Sequence, residues 1–477
     1  MTLLRQFKTK TMQQATLFLL FFLSCWTHVF ATHNRGGVIE YTAMGNGQYE
    51  VRVITYTKIS PPSNQADRPD LAVNWGDGSP ETIVQRTSTT TVAPDVQRNI
   101  YTGTHTYNNG TYLISMSDPN RNDGIQNING GNSIGISFYL EATIVVNGTN
   151  NSSVRYLGPA VIYGTIGIPL RFQGMGYDTD GDVICYDLVT PKQSRTTNVM
   201  GYQDITDIAP GVNNLYTFDA SNGYLVWESP QLVGQYSVAI RAREYRNGVY
   251  MGATIMDVQI VIGSGAVMPQ PNWTLSGPIR DTLAPGMPFS ISAAYADAQS
   301  NAVRLEAFSE TLESGAASTT NFPQGNSKDS LTYQWMPTAA DVRCAPYIDT
   351  LKGSATYSSE LSDHIVVQLY IRDGTPNNCD SLLNCAQFNS VRRTQNADLA
   401  VRVWPNPLGE YGVFELGTVP SGAVRLLVFD ATGKLLEQRQ FEGNRYTYDT
   451  EALPAGLYFY RLQLEDGRFQ TGKLIRQ

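Results

Sequence analysis

The sequence predicts an all-β protein built from several small modules in series. The chain has 477 residues, which is too long for one ordinary domain. Charged residues make up only 16% of it, whereas it contains 27 Tyr and 42 Gly, a composition that favours extended strands joined by tight turns. Short segments of alternating apolar residues recur along the chain, bounded by Gly, Asn or Asp. The formal net charge of −8, without a basic stripe, argues against nucleic acid as a partner.

Residues 1–31 have the composition of a signal peptide. Basic residues precede an apolar run over 17–23, and Val29-Phe30-Ala31 offers a small-x-small cleavage site. The run is too short to span a bilayer. In an alternative interpretation, Cys25 becomes a lipidated N-terminus. Both interpretations predict a protein that leaves the cytoplasm.

The first module is predicted over 32–150. Alternating apolar residues on both sides of Asn46-Gly47 predict a hairpin, because Asn-Gly fits the tight turns that join two strands. Farther on, residues 73–79 are Val-Asn-Trp-Gly-Asp-Gly-Ser and residues 105–112 are His-Thr-Tyr-Asn-Asn-Gly-Thr-Tyr. Together these residues resemble the PKD (polycystic kidney disease) domain. The resemblance implies an immunoglobulin-like β-sandwich, with a tryptophan in the core and the Gly-Asp-Gly segment as a turn.

The next two modules are predicted over 155–265 and 267–396. In the second module, a strand, the Asn222-Gly223 turn, another strand and a Gly-x-Tyr strand resemble a cadherin-like immunoglobulin-fold domain. The third module has the same pattern with fewer signals, and a Ser-, Gly- and Asn-rich stretch over 311–330 predicts a loop. Its strand-like segments are 289–294, 331–337 and 365–371.

In series, these three modules resemble multidomain surface proteins of gliding, Bacteroidetes-type bacteria. The resemblance lies in residues 33–41, in 118–122 together with Asn127-Ile128, and in Glu244-Tyr245-Arg246. It implies a surface protein and names no ligand.

The last module is predicted over 400–477, as an autonomous strand-rich unit. It contains four short motifs in order: P-N-P, D-x-x-G-K, L-x-x-G-x-Y and a terminal G-K-L-I. Their residues are Pro405, Asn406, Pro407, Asp430, Gly433, Lys434, Leu453, Gly456, Tyr458, Gly472 and Lys473. This set resembles the type A C-terminal sorting domain of the type IX secretion system. The resemblance implies a small β-sandwich that an outer-membrane translocon recognises. It also implies removal of the module, and attachment of the cargo to anionic lipopolysaccharide or its release at the outer cell surface.

An acidic loop in the second module is a candidate calcium site. Asp178, Asp180 and Asp182 place three carboxylates at alternate positions, and Gly181 bends the loop. Calcium prefers six to eight oxygen ligands, of which this loop supplies at most half. The spacing resembles cadherin-like calcium loops. A solvated acidic turn without metal is an equally weighted alternative.

Four cysteines follow the predicted signal peptide. Three of them lie in the third module, and the oxidising exterior permits a disulfide there. We expect Cys344 to pair with Cys379 or Cys385, although Cys379 and Cys385 could instead close a small loop with each other. Cys185, in an apolar run, is expected to be a free, buried thiol.

No catalytic residue is predicted. Residues 131–135 match the G-x-S-x-G pattern of hydrolases, but a strand-like segment follows them where that motif needs a helix. The sequence therefore predicts a non-catalytic secreted surface protein, adhesive or stalk-like, with an unknown glycan or protein ligand. Two alternatives stay open: a secreted hydrolase with an unrecognised active site, and a purely structural component of the envelope or matrix.

Overall fold

A computed structural model describes most of the chain beyond the predicted signal peptide. The described residues are 34–61, 67–93, 95–174, 176–209, 211, 214–264, 271–297, 302–322, 327–355, 358–374, 385, 390–393, 401–417, 419–420, 422–430, 435–450, 453–464 and 469–476. The signal peptide, the lipidation alternative at Cys25, and Cys379, Gly433 and Lys434 lie outside them. The all-β prediction is confirmed. Within the described ranges, the structure contains no helix with the length and hydrophobicity that crossing a membrane requires.

The first module is a seven-stranded antiparallel sheet with the order β1-β2-β5-β4-β3-β6-β7. Its strands are β1 (Asn34–Gly45), β2 (Gln48–Lys58), β3 (Asp70–Asn74), β4 (Thr82–Ala93), β5 (Val96–Thr106), β6 (Gly110–Asp118) and β7 (Phe138–Val146). The predicted hairpin at Asn46-Gly47 is confirmed, and both turn residues have the positive φ that this turn needs. Alternate side chains such as Tyr41, Val51 and Val53 point into one core.

The second module has two sheets that face each other across a common core. Its strands are β8 (Arg155–Tyr156), β9 (Val161–Thr165), β10 (Leu170–Phe172), β11 (Gly176–Tyr177), β12 (Val183–Val189), β13 (Leu215–Asp219), β14 (Tyr224–Trp227), β15 (Gly234–Arg246) and β16 (Val249–Gly263). Phe172 and Trp227 from the β10-β14-β13 sheet pack with Ile240 and Ile260 from the β15-β16 hairpin. The same core includes Tyr56 of the first module, so the two modules share buried apolar surface.

Strand β16 belongs to both modules. With 15 residues it extends about 50 Å at roughly 3.3 Å per residue. Its Gly252–Thr254 segment pairs with β7, Asp257 pairs with Gly37 of β1, and its last residues pair in parallel with β9. The first module therefore closes on itself through a strand of the second, which differs from the self-contained sandwich that the PKD resemblance implies.

The third module packs two sheets over one core. Its strands are β17 (Pro271–Ser276), β18 (Arg280–Leu283), β19 (Phe289–Asp297), β20 (Val303–Ser309), β21 (Ala317–Asn321), β22 (Lys328–Trp335), β23 (Tyr347–Ala355) and β24 (Ser358–Ile371). The prediction of a loop over 311–330 is wrong in part. A helical turn, α1 (Glu310–Glu313), starts where the Ser309 hydroxyl accepts the N–H of Leu312, and β21 follows as an exposed edge strand without apolar alternation.

The end of the predicted third module returns to the second. Strand β25 (Ser390–Arg393) pairs antiparallel with β13, and β24 pairs with β9 at Leu361. The predicted boundaries at 150–155 and 265–267 are thus crossed by sheet pairings.

The C-terminal module has two sheets, β26-β27-β30 and β29-β28-β31-β32. Its strands are β26 (Val401–Trp404), β27 (Tyr411–Leu416), β28 (Val424–Phe429), β29 (Leu435–Phe441), β30 (Arg445–Asp449), β31 (Gly456–Leu464) and β32 (Phe469–Arg476). Phe414 and Tyr448 from one sheet pack against Tyr460 and Leu474 from the other, and all members of this core come from 401–474. The module is the predicted small β-sandwich.

Candidate functional site

The P-N-P segment of the C-terminal module holds the last strand in place. The side-chain amide of Asn406 donates to the backbone carbonyl of Lys473 at 3.0 Å and accepts the backbone N–H of Ile475 at 2.9 Å. The N–H of Leu408 then donates to the carbonyl of Ile475 at 2.6 Å. Two of the four predicted motifs, separated by about 65 residues in sequence, are therefore one hydrogen-bonded unit.

Two further motif residues have packing roles. The Tyr458 hydroxyl donates to the carbonyl of Pro454 at 2.7 Å, which closes the L-x-x-G-x-Y turn. Gly472 lies under the ring of Tyr460, and a Cβ at this position would approach the ring to 2.5 Å. Leu453 is buried in the core of the module. The motifs thus specify how β31 and β32 close the sandwich.

The outer face of the β29-β28-β31-β32 sheet is apolar and exposed. Leu457 is 44% exposed, Phe459 42% and Ile475 38%, and they lie side by side because Leu457 pairs with Ile475 and Phe459 with Lys473. Arg461 and Lys473 stand beside them on the same face. Contiguous exposed apolar groups with a polar rim are typical of interaction surfaces.

The family comparison decides the nature of this module. Residues 402–477 match the model of the Secretion system C-terminal sorting domain. The last module is a sorting domain. Its Pro405, Asn406, Pro407, Leu453, Gly456, Tyr458, Gly472 and Lys473 lie in the matched region together with Asp430.

Several solved structures are similar to the chain at low identity. The N-terminal Ig1-2 module of the Drosophila receptor protein tyrosine phosphatase DLAR is 12% identical, covering 46% of this chain and 99% of that chain, with a TM-score of 0.20. The PcdhgB3 EC1-4 structure is 11% identical and covers 72% of each chain, with a TM-score of 0.17. The S-layer protein rSbsC(31-844) is 10% identical, covering 93% of this chain and 66% of that chain, with a TM-score of 0.15. No curated protein matches the sequence.

The residues of the PKD-like pattern form one cluster in the first module. The His105 ring stacks on Trp75 with centroids 4.7 Å apart, and its Nε2 lies 2.7 Å from a carboxylate oxygen of Asp77. Hydrogen bonds from Ser79 and from His105 hold the pKa of Asp77 well below its usual range. The Tyr107 hydroxyl donates to the carbonyl of Trp75. These polar residues stabilise the turn and its strand.

In the acidic loop, the carboxylates of Asp180 and Asp182 are paired with an arginine, Arg246. Asp178 accepts the backbone N–H groups of Asp180 and Asp182, both at 2.9 Å. Arg246 forms two hydrogen bonds with Asp182, at 2.6 and 2.8 Å, and lies 3.5 Å from Asp180. Within the described residues, no group of three or more His, Cys, Asp or Glu is arranged to hold a metal ion. Calcium binding at this loop stays a prediction, and Arg246 would compete with the cation.

Behind the loop, two carboxyl groups are buried together. Glu244 accepts the N–H of Val154 at 2.5 Å and the side-chain amide of Asn151 at 3.0 Å, whereas one oxygen of Asp178 is buried without a hydrogen-bond partner. Burial raises the pKa of Asp178 to about 7, and burial together with Asp178 raises the pKa of Glu244 well above its usual value. The pair therefore keeps at least one proton at neutral pH.

A buried ion pair joins the first two modules, and sequence reasoning missed it. Arg121 is 1% exposed and lies 2.6 Å from Asp257 of β16. Nearby, the Asn127 side chain bonds both the N–H and the carbonyl of Ser237. Arg121 and Asn127 belong to the segments that carry the resemblance to surface proteins, which was the only sequence signal for this contact.

The disulfide differs from the prediction. Cys185 is bonded to Cys385, 200 residues away, so a free Cys185 and both predicted pairings of Cys385 are wrong. The reason is that Cys385 lies beside Cys185 of β12, and the next described strand, β25, pairs with β13, which proximity in sequence does not reveal. Cys344 is also disulfide-bonded. Its predicted pairing with Cys379 involves a residue outside the described ranges and stays a prediction.

Ser133 of the G-x-S-x-G match is a structural residue. It is fully buried, its hydroxyl donates to the carbonyl of Asn122 at 2.6 Å, and it accepts the N–H of Ile125 at 3.1 Å. Both contacts hold the loop that carries Arg121, so the hydroxyl has a role in folding.

Proposed function

We propose that this chain is a non-catalytic surface protein, exported through its C-terminal sorting domain and displayed outside the cell as an adhesive or stalk-like body. The match of residues 402–477 to a secretion sorting domain carries the proposal. The partners are the type IX secretion machinery and, for the displayed protein, anionic lipopolysaccharide and an external glycan or protein ligand.

The structure of the sorting domain supports a role as a separate export signal. Among the residues that the structure describes, its core includes none from the first three modules, so it can fold and be recognised independently of the cargo. The exposed face formed by Leu457, Phe459 and Ile475, beside Lys473, offers the machinery an apolar surface with positive charge next to it.

The arrangement of the first three modules supports a load-bearing body. Strand β16 pairs with strands of both the first and second modules, the Arg121–Asp257 ion pair is buried between them, and a disulfide fastens the second module to the end of the third. A body joined in this way keeps its shape when one end is anchored and the other is pulled.

Surface labelling of intact cells tests the export proposal. Deleting 401–477 should abolish display, and Phe459→Ser should reduce it severalfold because it removes an exposed apolar group. Gln463→Ser, a polar change on the outer face of the same strand, is the matched control and should leave display unchanged. Normal display of the deleted chain would rule out the sorting role. Normal display of Phe459→Ser alone would exclude only this face as the recognition surface.

A further inference from the structure

A cavity opens where the first three modules meet. Its volume is about 160 Å³, and each module contributes to its wall. Tyr56 and Arg98 come from the first module, Tyr163 from the second, and Lys352, Ser362 and His364 from the third. None of the described residues that line it is Asp or Glu, although the chain carries a net charge of −8. The wall therefore differs in charge from the protein as a whole.

Two cations in the wall form no direct ion pair with a carboxylate among the described residues. Neither Arg98 nor Lys352 forms an ion pair there, whereas most other arginines of this region do. The Nε of Arg98 is buried without a hydrogen-bond partner. Burial lowers the pKa of Lys352 although Glu306, its cross-strand neighbour, favours the charged form, so the withdrawal of the ammonium group from water outweighs that attraction. A half-buried cation without a direct ion pair loses hydration that is not replaced, and an anion in the cavity would offset that cost.

The remaining polar groups also present hydrogen-bond donors. The backbone N–H of Gln173 donates to Nδ1 of His364 at 3.2 Å, so the proton of the neutral ring lies on Nε2. Burial lowers the pKa of His364 to about 3, which keeps the ring neutral. Nε2 is 3.3 Å from the Ser362 hydroxyl and donates to it, which leaves the hydroxyl proton free to point into the cavity. Arg98, Lys352 and Ser362 therefore all offer donors.

The size of the cavity restricts the ligand. A volume of about 160 Å³ is far above the roughly 10–15 Å³ that one water needs, but it is below the roughly 300–1,000 Å³ of pockets that enclose a whole drug-sized ligand. It suits one terminal group that carries an anion. Tyr56, Tyr163 and Phe308 add aromatic surface against which the apolar face of a sugar ring can pack.

We propose that this cavity binds the anionic end unit of an acidic saccharide, with Arg98, Lys352 and Ser362 bonding its carboxylate or sulfate group. The inference refines the adhesive part of the proposed function by giving the ligand a chemical class. Binding is a property of the folded chain and does not depend on the sorting domain, so its failure and a failure of export are distinguishable.

Calorimetric titration of the purified full chain tests the proposal. At constant ionic strength, glucuronate and glucose 6-sulfate should bind with saturation, and neutral glucose should not. Inorganic sulfate as a further probe shows whether the anion alone suffices. Lys352→Gln and Arg98→Gln should each weaken binding at least about tenfold, because each removes a charge-assisted hydrogen bond. Lys328→Gln, a lysine of the same module outside the cavity, should bind like the wild type.

Each result decides for or against the site. Saturable anion binding that Lys352→Gln weakens and Lys328→Gln does not supports it. The proposal is overturned if neither glucuronate nor glucose 6-sulfate binds with saturation. It is also overturned if glucose binds with the same affinity as the acidic sugars. Binding unchanged in the Lys352→Gln, Arg98→Gln double variant overturns it as well. Thermal melts of all variants without ligand show whether a loss of binding reflects unfolding, and Lys352→Met serves as a second variant if Lys352→Gln fails to fold.

Discussion

At the scale of single residues, three buried carboxyl groups at the junction of the first two modules are compensated in different ways. Asp257 has Arg121 as a direct partner, Asp182 has Arg246, and Asp178 has one oxygen without any hydrogen-bond partner. A carboxyl group that is buried without a counter-charge is more stable protonated. Asp178 therefore makes the stability of the folded chain depend on pH in a direction opposite to that of most acidic side chains.

We predict that Asp178→Asn stabilises the protein at pH 7 and above but not at pH 4. The pKa of Asp178 is about 7 in the folded state and near the ordinary value of 3.8 when unfolded. Between these values the unfolded chain has lost its proton and the folded chain has kept it, so wild-type stability falls by about 1.4 kcal/mol per pH unit as pH rises. Urea unfolding at several pH values measures this difference.

Asp77→Asn is a control, because folding shifts the pKa of Asp77 in the direction opposite to that of Asp178. The pKa of Asp77 is lowered in the folded state, so its contribution is present at neutral pH and is lost as pH falls. The Asp77 variant should therefore approach the wild type in acid, where the Asp178 variant also loses its advantage. Parallel stability curves for wild type and Asp178→Asn across pH 4–8 would contradict a protonated Asp178.

Arg246 gives the calcium prediction a sharper form. Removing its guanidinium leaves Asp180 and Asp182 without their cationic partner, so Arg246→Ala should respond to calcium more strongly than the wild type. A calcium concentration ten times the dissociation constant would stabilise the variant by about 1.4 kcal/mol. Thermal melts with calcium and with chelator measure the response. Arg241 lies on the same strand as Arg246 and pairs with Asp187 of β12. Arg241→Ala breaks that pair and should show no such gain in the response to calcium.

At the scale of strands, the sequence predicted those elements that form because of residues adjacent to each other in the chain. The Asn46-Gly47 hairpin and β28 (Val424–Phe429) follow from turn chemistry and apolar alternation in adjacent residues. Strand β21 was missed because its Ser and Thr side chains are exposed at a sheet edge and carry no apolar pattern. Strand β25 was not predicted, because its partner, β13, lies about 175 residues earlier in the chain.

The candidate sites show the same difference between features that are local in sequence and features that join distant residues. The sorting motifs were recognisable in sequence because each is a short run of residues, and Asn406 reaches the last strand from one of them. The cavity was not predictable, because Arg98, Lys352 and His364 come from strands of two modules and none stands in a motif. The partner of Cys185 was missed for the same reason.

The Cys185–Cys385 bond should stabilise the second module by holding the returning segment. Cross-linking a loop of 200 residues removes unfolded-state entropy worth up to about 5 kcal/mol. We expect Cys385→Ser to lower the free energy of unfolding by a few kcal/mol and to increase hydrogen exchange in β13 (Leu215–Asp219), which pairs with β25. The double variant Cys185→Ser, Cys385→Ser should equal the single one, since the bond is already absent. Non-reducing peptide mapping must recover a Cys185–Cys385 peptide from the wild type.

At the scale of the whole molecule, the chain has two parts that are joined very differently. The first two modules share strand β16 and a common core that includes Tyr56 and Trp227. The third module has its own core but is joined to the second by the pairings of β24 with β9 and of β25 with β13 and by a disulfide. The sorting domain has its own core over 401–474. Modules that are joined by sheet pairings and a disulfide unfold cooperatively, whereas a domain whose described strands pair only with each other unfolds by itself.

Calorimetry of the full chain should therefore show two thermal transitions rather than four. The larger belongs to the first three modules, and the smaller belongs to the sorting domain, whose core is limited by its size. Deleting 401–477 should remove the smaller transition and leave the larger one within about 2 °C, because the two parts share no core residue among those that the structure describes. Gly472→Ala, which forces a methyl group against the Tyr460 ring, should lower the smaller transition alone. Separate transitions for each of the first three modules, or a shift of the larger transition on deletion, would show that the shared strand does not couple them as the sheet pairings require.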